Sequence, residues 1–418
     1  MNGTVFNPGV DIHTLTAELA ALAQISEAAP PVVTRVVFSE ADLQARAWLK
    51  ALCVSAGLTI REDAVGNTFA RWQGSDPSLA PVATGSHIDA IPNAGAYDGT
   101  VGVLGGLEAI RALQRAGFQP RLSIELIVFT SEEPTRFGIG CLGSRLMAGV
   151  MTPEKALTLR DKDNLSLDEL RAAAGFSGDL ASVRLKPHAY AAFVELHIEQ
   201  GPILEREGID LGMVTHIAAP ASMTITVEGE GGHAGAMLMP SRHDALTAAC
   251  ELILALEHNA RASGAIDTVA TVGICDVFPG AVNSVPSRVR LEADIRDTDS
   301  NRRDRVIAEV QAFAEMVSSR RGVRIRFEMV NSDPPAACDP AILAAMERSV
   351  TETGHTSQAM VSRAYHDSLF MARIAPIAMI FIPCRNGVSH RPDEYASPQA
   401  IQAGVQVLAR TLATLGDS

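Results

Sequence analysis

The chain has 418 residues, of which 47% are hydrophobic, and this is enough for two compact domains with large cores. Its net charge of −13 and its lack of a basic cluster argue against nucleic acid or anionic membrane as a partner, because phosphate groups are bound by concentrated Lys and Arg. The longest apolar runs, such as residues 374–383, are about half the ~20 residues of a membrane-spanning helix, so they predict buried strands.

The beginning of the chain and its cysteines both indicate a cytoplasmic protein. Residues 1–24 lack a basic start, a continuous apolar core and a small-residue cleavage signature, so we expect no export. The six cysteines are scattered without a CxxC pair, which favours reduced thiols in the core over disulfides or a thiolate zinc site.

The first half of the chain alternates helical and strand patterns. The expected elements are a helix over 41–58, a hairpin over 58–74, a strand over 81–89, a helix over 102–117 and a strand over 121–133. This βαβ order predicts a parallel sheet with its chemistry at the carboxyl ends of the strands.

From about Met213 the pattern changes to strand, helix, strand, strand, helix, strand, which is the ferredoxin-like order. After Asp333 the chain returns to a helix, a buried strand and a final helix from Pro398. We therefore predict a discontinuous catalytic domain of residues 1–212 and 332–418, interrupted by an inserted domain of residues 213–331.

Histidines and carboxylates recur beside glycine-rich turns. The segment GSHIDAIPNAGAYDG begins at Gly85 and is followed, after a helix and a strand, by FTSEE. Three further segments place a histidine beside glycine or a strand end: ELHIEQG (195–201), GGHAGA (231–236) and GVSHRPDEY (387–395). A single histidine of this kind is more often a surface or hydrogen-bonded core residue. Together, however, hard oxygen donors and imidazoles indicate a two-metal hydrolase site.

These segments, with FTSEEPTRFGIGCLGSRLMAG, SRAYHDSLFMARI and MIFIPC, resemble the hydantoinase/carbamoylase group of dinuclear-metal amidohydrolases. The resemblance covers nearly the whole chain and is greatest to the members that act on ureidoglycolate. It implies an α/β fold with an aminopeptidase-like mixed sheet between helices in the catalytic domain. It also implies that the inserted ferredoxin-like α+β domain is a lid and dimerisation domain, and hence that the protein is a homodimer.

The resemblance further implies two divalent metal ions per subunit. Five residues match the ligands, namely His87, Asp98, Glu133, His197 and His390. Asp98 would bridge the ions, with His87 and His197 completing one and Glu133 and His390 the other. Mn²⁺ is the expected ion, with Zn²⁺, Co²⁺ or Ni²⁺ as alternatives, because carboxylates and neutral imidazoles accept all four. The alternative without a metal site is that these five are solvent-facing or hydrogen-bonded polar residues.

Two acidic residues beside these ligands have implied roles of their own. Glu132 matches the general base that takes a proton from water and returns it to the leaving nitrogen; otherwise it only supports the ligands. Asp89 would accept the other imidazole N–H of His87 and so fix its tautomer. Glycines at 85, 95 and 99 would let the backbone turn tightly around the ions.

The resemblance also supplies residues for substrate recognition. Arg296 matches a carboxylate-binding arginine, and His233 matches a histidine that reaches the partner subunit's site to stabilise the tetrahedral intermediate. The remaining expected substrate contacts are Gln200, Asn283, Tyr365 and His366. Each of these residues also has a purely structural alternative. These alternatives are a surface ion pair for Arg296, a turn cap for Asn283, solvation for Gln200, local hydrogen bonding for His233, and packing for Tyr365 and His366.

The implied reaction is hydrolysis of a linear ureido C–N bond in a small carboxylate, with release of ammonia. (S)-Ureidoglycolate is the first choice of substrate, and an N-carbamoyl-L-amino acid or allantoate is the alternative. A peptidase or deacylase fits less well, and so does a metal-free binding or scaffold protein of this fold, which would be expected to lose ligands. Ala96 and His216 depart from the group's usual residues and leave the exact substrate open.

Overall fold

The computed structural model describes residues 8–417. It divides into two compact units. The larger unit comprises the chain up to Thr215 and from Ala337 onward, and the smaller unit comprises His216–Ala336. No helix among the described residues combines the length and the apolarity needed to cross a membrane.

The helices and strands have the following bounds. The α-helices are α1 (Ile12–Gln24), α2 (Glu40–Ser55), α3 (Thr100–Arg115), α4 (Leu142–Met147), α5 (Pro153–Leu157), α6 (Leu167–Ala173), α7 (Ile203–Glu207), α8 (Ala245–Ala262), α9 (Ser300–Arg321), α10 (Pro340–Thr353), α11 (Asp367–Met371) and α12 (Pro398–Gly416). The strands are β1 (Val33–Arg35), β2 (Thr59–Glu62), β3 (Thr68–Trp72), β4 (Val82–His87), β5 (Ala90–Ala94), β6 (Ile124–Phe129), β7 (Ala192–Ile198), β8 (Leu211–Ile217), β9 (Ala219–Glu228), β10 (Gly232–His233), β11 (Val269–Phe278), β12 (Ser284–Val285), β13 (Arg288–Asp297), β14 (Arg324–Ser332), β15 (Ala336–Ala337), β16 (Ser357–Ser362) and β17 (Ile377–Ile382).

The larger unit is built on one mixed sheet in the order β15-β8-β17-β7-β4-β6-β3-β2, with β16 paired to β8. Its four central strands, β17, β7, β4 and β6, are parallel and buried along their whole length. Helices α3 and α12 pack on these strands. Strands buried on both faces have continuous apolar sequences, which is why IAMIFI at 377–382 was correctly predicted as a buried strand.

The parallel arrangement brings polar residues from distant parts of the chain to one edge of the sheet. His87 is the last residue of β4, and His197 is the last but one of β7. Glu132 and Glu133 follow β6 after two residues, and His390 lies in the segment that follows β17. The predicted parallel pairing is confirmed, and these residues lie at the carboxyl ends of the strands, the usual place for a site in such sheets.

The smaller unit has a four-stranded antiparallel sheet in the order β11-β13-β9-β14, with α8 and α9 packed on it. Counted along the chain this is strand order 2-3-1-4, which is the ferredoxin-like arrangement predicted from the βαββαβ pattern. Strand β13 alternates between buried and accessible residues, and its inward side chains meet those of α8 and α9 in one core. A short ribbon of β10 and β12 pairs His233 with Ser284.

Two local expectations had different outcomes. The hairpin over 58–74 is confirmed, because β2 and β3 pair antiparallel on either side of Gly66, which has a φ of +96°. All six cysteines are free thiols, but Cys250 and Cys275 are exposed rather than in the core. These two lie on α8 and β11 of the smaller unit, where half of each element faces solvent.

Candidate metal centre

The centre of the site is the carboxylate of Asp98, which lies just before α3. Its Oδ1 is 3.2 Å from His197 Nε2 and 3.6 Å from His87 Nε2. All three side chains are buried. The adjacent Gly99 has a φ of +66°, and a Cβ there would lie 2.5 Å from Nε2 of His87, so only glycine lets this loop pass the imidazole.

The second oxygen of Asp98 faces a different pair of donors. Oδ2 is 3.1 Å from His390 Nε2, and the same nitrogen is 3.2 Å from Glu133 Oε1. One carboxylate therefore joins two donor sets, one of two imidazoles and one of an imidazole with a carboxylate. The structure brings all five sequence-predicted ligands together in this way.

The backbone fixes the tautomers of the two buried imidazoles. His87 Nδ1 is 2.9 Å from the main-chain oxygen of Asp89, and His197 Nδ1 is 3.0 Å from that of Ile198. A carbonyl oxygen can only accept, so Nδ1 carries the hydrogen in both rings and the Nε2 lone pair of the neutral ring faces Asp98. This is the orientation that a metal ligand requires.

Asp89 accepts the Nδ1 hydrogen of His87, as expected, but through its main-chain oxygen. Its carboxylate Oδ1 is 3.9 Å from His87 Nδ1, too far for a hydrogen bond, and its carbonyl oxygen holds the ring instead. The carboxylate accepts hydrogen bonds from the backbone N–H groups of Glu132 (3.2 Å) and Glu133 (3.0 Å). Asp89 therefore holds both His87 and the turn that carries the two glutamates.

The charges of the site favour a cation. Burial lowers the pKa of His87, but Glu132 and Asp98 outweigh it and raise the pKa well above its ordinary value. Hydrogen bonds to Asp98 and Glu133 raise the pKa of His390 to about 11. Burial raises the pKa of Asp98, yet hydrogen bonds from the three imidazoles bring it well below its ordinary value. The buried carboxylates thus favour positive charge in the site.

The donor set fits divalent metal ions. Among the described residues, three groups of three offer ligand atoms that lie within 4.8 Å of one another, of which one is Glu195 with His197 and His366. The other two share Asp98, namely His87 with Asp98 and His197, and Asp98 with Glu133 and His390. Both groups combine imidazole nitrogen with carboxylate oxygen, the donors that Mn²⁺, Zn²⁺, Co²⁺ and Ni²⁺ accept. A proton and a divalent ion compete for the same lone pair of an imidazole nitrogen, so metal binding would release any proton held there.

Glu132 lies beside this group with a second partner of its own. Its Oε2 is 3.7 Å from His87 Nε2, and its Oε1 accepts a hydrogen bond from the Cys141 thiol at 3.2 Å. Burial raises its pKa well above the ordinary value, with Glu133 and Asp367 adding to this and His87 opposing it. A buried carboxylate beside the imidazole of His87 has the position that a general base requires.

Gln200 and His366 each contact one of the five predicted metal ligands. Gln200 Nε2 donates to Asp98 Oδ2 at 2.7 Å, while its buried Oε1 has no hydrogen-bond partner within the described part of the chain. The ring of His366 packs against that of His197 with centroids 4.6 Å apart, and burial lowers its pKa well below the ordinary value. Its Nε2 also lacks a partner among residues 8–417. Both side chains therefore keep an unused polar atom.

Tyr365 is engaged in packing. Its ring lies 6.1 Å from that of Phe370, centroid to centroid, and the guanidinium of Arg145 is 5.5 Å from the Tyr365 centroid. These contacts support the packing alternative for Tyr365 over substrate contact.

In the smaller unit, His233 and Asn283 are neighbours. The β10–β12 ribbon places His233 opposite Ser284, and the N–H of Ala234 donates to the main-chain oxygen of Asn283 at 2.8 Å. His233 Nδ1 accepts from the N–H of Gly235 at 3.1 Å, so the hydrogen of the neutral ring is on Nε2. The exposed His233 thus presents an N–H donor.

Arg296 lies near the end of β13 that is remote from the β10–β12 ribbon. Arg288, at the start of β13, pairs with Glu228 beside the β10–β12 ribbon, whereas Arg296 pairs with Pro220. Residues 288 to 296 span roughly 27 Å at ~3.4 Å per residue. The guanidinium of Arg296 forms an ion pair with Asp294, with 2.7 Å between Nε and Oδ1. The structure therefore does not bring Arg296 to His233 and Asn283 within one copy of this unit.

Sequence reasoning missed two buried carboxylates. Glu195 accepts hydrogen bonds from the Ser86 hydroxyl at 2.8 Å and the Ser368 hydroxyl at 2.6 Å. A charged residue inside the apolar run AFVELHI, two positions before His197, was a signal for it. Glu394 accepts from the backbone N–H groups of Tyr97 and Asp98. Its position four residues after His390 was only a weak signal.

Comparison with known proteins identifies the family. The model of peptidase family M20/M25/M40 matches residues 83–414. Ureidoglycolate hydrolase of rice (Oryza sativa subsp. japonica) is 54% identical over 413 residues, which are 97% of this chain and 85% of the rice protein.

Solved structures agree with this result. The crystal structure of AtUAH in complex with glyoxylate matches with a TM-score of 0.87 and 53% identity, over 98% of each chain. An amidase of the hydantoinase/carbamoylase family from Burkholderia multivorans matches with a TM-score of 0.88 and 34% identity, also over 98% of each chain. The chain therefore belongs to peptidase family M20/M25/M40 and, within it, to the hydantoinase/carbamoylase amidohydrolases that the sequence motifs resemble.

Proposed function

We propose that the chain is a metal-dependent amidohydrolase that cleaves the linear ureido C–N bond of a small carboxylate, first of all (S)-ureidoglycolate, and releases ammonia. The observation that carries this proposal is the carboxylate of Asp98 shared by two donor sets, with the buried carboxylate of Glu132 3.7 Å from one of their imidazoles. Likeness to the rice ureidoglycolate hydrolase over 97% of the chain supports the choice of substrate.

We infer two divalent ions per subunit, with Mn²⁺ as the first candidate. Asp98 would hold both through its two oxygens, His87 and His197 would complete one, and Glu133 and His390 the other. When bound, the ions supply Lewis acidity, which polarises the ureido carbonyl and lowers the pKa of a shared water.

Glu132 then carries the proton. It takes a proton from the attacking water and returns it to the leaving nitrogen, so that ammonia rather than an amide anion departs. The hydrogen bond from the Cys141 thiol to Oε1 leaves Oε2 as the oxygen nearer to His87. The thiol thereby orients the carboxylate for this transfer.

Substrate recognition is divided among several groups. The planar fork of Arg296 suits bidentate pairing with the substrate carboxylate, in exchange for its ion pair with Asp294. The Nε2–H of His233 suits stabilisation of the developing oxyanion, and Asn283, whose main-chain oxygen accepts from the N–H of Ala234, is the neighbouring candidate for substrate contact. The unused Oε1 of Gln200 can accept a hydrogen bond from a substrate N–H, and His366, which packs on the ring of His197, has an unused Nε2.

The separation of these groups supports a homodimer. Arg296 is separated from Arg288, at the end of β13 nearer to the ribbon that carries His233, by roughly 27 Å of strand, so a small ureide cannot contact both Arg296 and His233 of one chain. In one chain, His233 and Asn283 would therefore serve one site and Arg296 a different one. Each complete site then requires two chains, and the smaller unit would be the dimerisation and lid domain.

Mixing two inactive variants is expected to restore activity. When Glu132→Gln and His233→Ala subunits form heterodimers, one of the two sites receives both Glu132 and His233. About half of the wild-type activity per heterodimer should return, because a two-fold dimer has two equivalent sites. Each variant alone is the control, and ammonia release from purified heterodimers is the measurement. Proven heterodimers as inactive as their parents would contradict a shared site.

The substrate is tested with a panel. We expect the Mn²⁺-loaded protein to release ammonia from (S)-ureidoglycolate with a kcat/KM at least about tenfold above that for allantoate and for a set of N-carbamoyl-L-amino acids, because pocket contacts to the non-reacting part of the substrate decide such ratios. The Glu132→Gln protein measures the background of spontaneous decay. Preference for a carbamoyl amino acid would overturn the choice of substrate but not the reaction class.

A further inference from the structure

We propose that Glu394 is a positioning residue that locks the Asp98 segment and the His390 segment into one metal group. The inference rests on the proposed metal role of these two residues. The carboxylate of Glu394 is not one of the proposed metal ligands. It acts on the backbone of the residues that do.

The carboxylate of Glu394 connects two segments that are far apart in the sequence. Its Oε1 accepts hydrogen bonds from the backbone N–H groups of Tyr97 at 2.7 Å and Asp98 at 3.0 Å. Its Oε2 accepts from the Ser389 hydroxyl at 2.9 Å and from the backbone N–H of His390 at 3.3 Å. Both oxygens are thus in use, one on each segment, and the side chain is only 5% exposed.

His390 depends on such a contact more than the other imidazoles do. Its side chain is 45% exposed, so packing does little to fix it, whereas the side chains of His87 and His197 are almost fully buried. Its backbone φ is +58°, a left-handed conformation that residues other than glycine seldom adopt. The hydrogen bond from its N–H to Glu394 stabilises this conformation.

Ser389 extends the connection to the shared carboxylate. Its hydroxyl oxygen is 2.7 Å from Asp98 Oδ2 and 2.9 Å from Glu394 Oε2. The backbone N–H of Asp98 is therefore held directly by Glu394, while the single hydroxyl hydrogen of Ser389 is shared between the carboxylates of Asp98 and Glu394. Asp98 Oδ2 and His390 Nε2 are 3.1 Å apart. Movement of Glu394 would displace these two side chains relative to each other.

The segment that leads to Asp98 leaves room for Glu394. A Cβ on Gly95 would lie 2.3 Å from the Glu394 Cβ and 2.6 Å from its Oε1. The backbone of Gly95 is not in the left-handed region, so alanine is excluded there by Glu394 and not by backbone strain. Gly95→Ala therefore displaces Glu394 while every carboxylate and imidazole side chain of the site remains chemically unchanged.

The test measures metal binding and does not depend on turnover. We expect isothermal titration of metal-free Glu394→Ala with MnCl₂ to give an affinity weaker by about 10–100-fold than wild type, the usual effect of removing a group that orients ligands. Gly95→Ala should weaken binding in the same range. Glu394→Gln should lose less, because its amide oxygen can still accept from Tyr97 and Asp98 while its NH₂ group faces the N–H of His390.

A matched control separates positioning from general stability. Glu125 on β6 is a carboxylate of similar burial that accepts from Arg71 Nε at 2.7 Å and the Tyr190 hydroxyl at 2.6 Å, away from the metal group. Glu125→Ala should lower the Tm of the metal-free protein and keep wild-type Mn²⁺ affinity. The inference is overturned if Glu394→Ala and Gly95→Ala bind Mn²⁺ like wild type, or if Glu125→Ala loses equal affinity. Failure of the wild-type protein to bind Mn²⁺ would instead refute the proposed metal centre.

Discussion

Replacing Glu132 by glutamine is expected to lower kcat by about 10²–10⁴-fold, the usual contribution of a general base. Glutamine keeps the shape of the side chain and can still accept the hydrogen bond from Cys141, but it cannot take a proton from water. The loss should therefore appear in kcat, with little change in folding or in the affinity for Mn²⁺.

Steady-state ammonia release and Mn²⁺ titration on the same preparation check this result. Glu132→Asp is a useful companion, because it retains the carboxylate but withdraws it by one methylene and should recover part of the lost rate. If Glu132→Gln kept near-normal turnover with both ions bound, another group would have to be the base. The proposal that Glu132 is the base and Glu133 a metal ligand would then be refuted.

Replacing Asp98 by asparagine is expected to remove metal binding and activity together. The two oxygens of Asp98 face different donor sets, 3.2 Å from His197 and 3.1 Å from His390, and an amide offers only one oxygen in place of two. Loss of a ligand common to both ions should exceed the 10–100-fold effect of losing an orienting group, so we expect Mn²⁺ affinity to fall by more than about 100-fold.

Titration of the metal-free variant with MnCl₂, together with its melting curve, measures this effect. Asp297→Asn is the control, because Asp297 is a fully buried carboxylate of the smaller unit that accepts from Thr268 and Arg302. That substitution should lower the Tm without a comparable loss of metal affinity. Stoichiometric binding of two Mn²⁺ ions by Asp98→Asn would refute the shared-carboxylate arrangement.

The sequence was informative wherever an apolar run ends in a polar residue. Strands β4, β6, β7 and β17 are such runs, and because all four are parallel, the residues that follow them meet at one edge of the sheet. The meeting of these polar residues at one edge could therefore be predicted, and the βαββαβ pattern predicted the ferredoxin-like order of the smaller unit. The family resemblance was needed to name the five proposed ligands and the proposed base, and to say which histidine accompanies which carboxylate.

Contacts to backbone atoms could not be predicted. Asp89 holds His87 through its carbonyl oxygen, and Glu394 holds Asp98 and His390 through their N–H groups. Every residue has a carbonyl and nearly every one an N–H, so such contacts leave no signature in the residue type. The distance between Arg296 and His233 was also hidden, because it depends on the strand register and not on the spacing of the two residues in the chain.

The placement of Arg296 far from the ribbon that carries His233 has a consequence for mutagenesis. If each centre draws on two chains, as proposed, a subunit that lacks both side chains would impair both centres of a dimer at once. A subunit that lacks only one of them would leave the other centre intact.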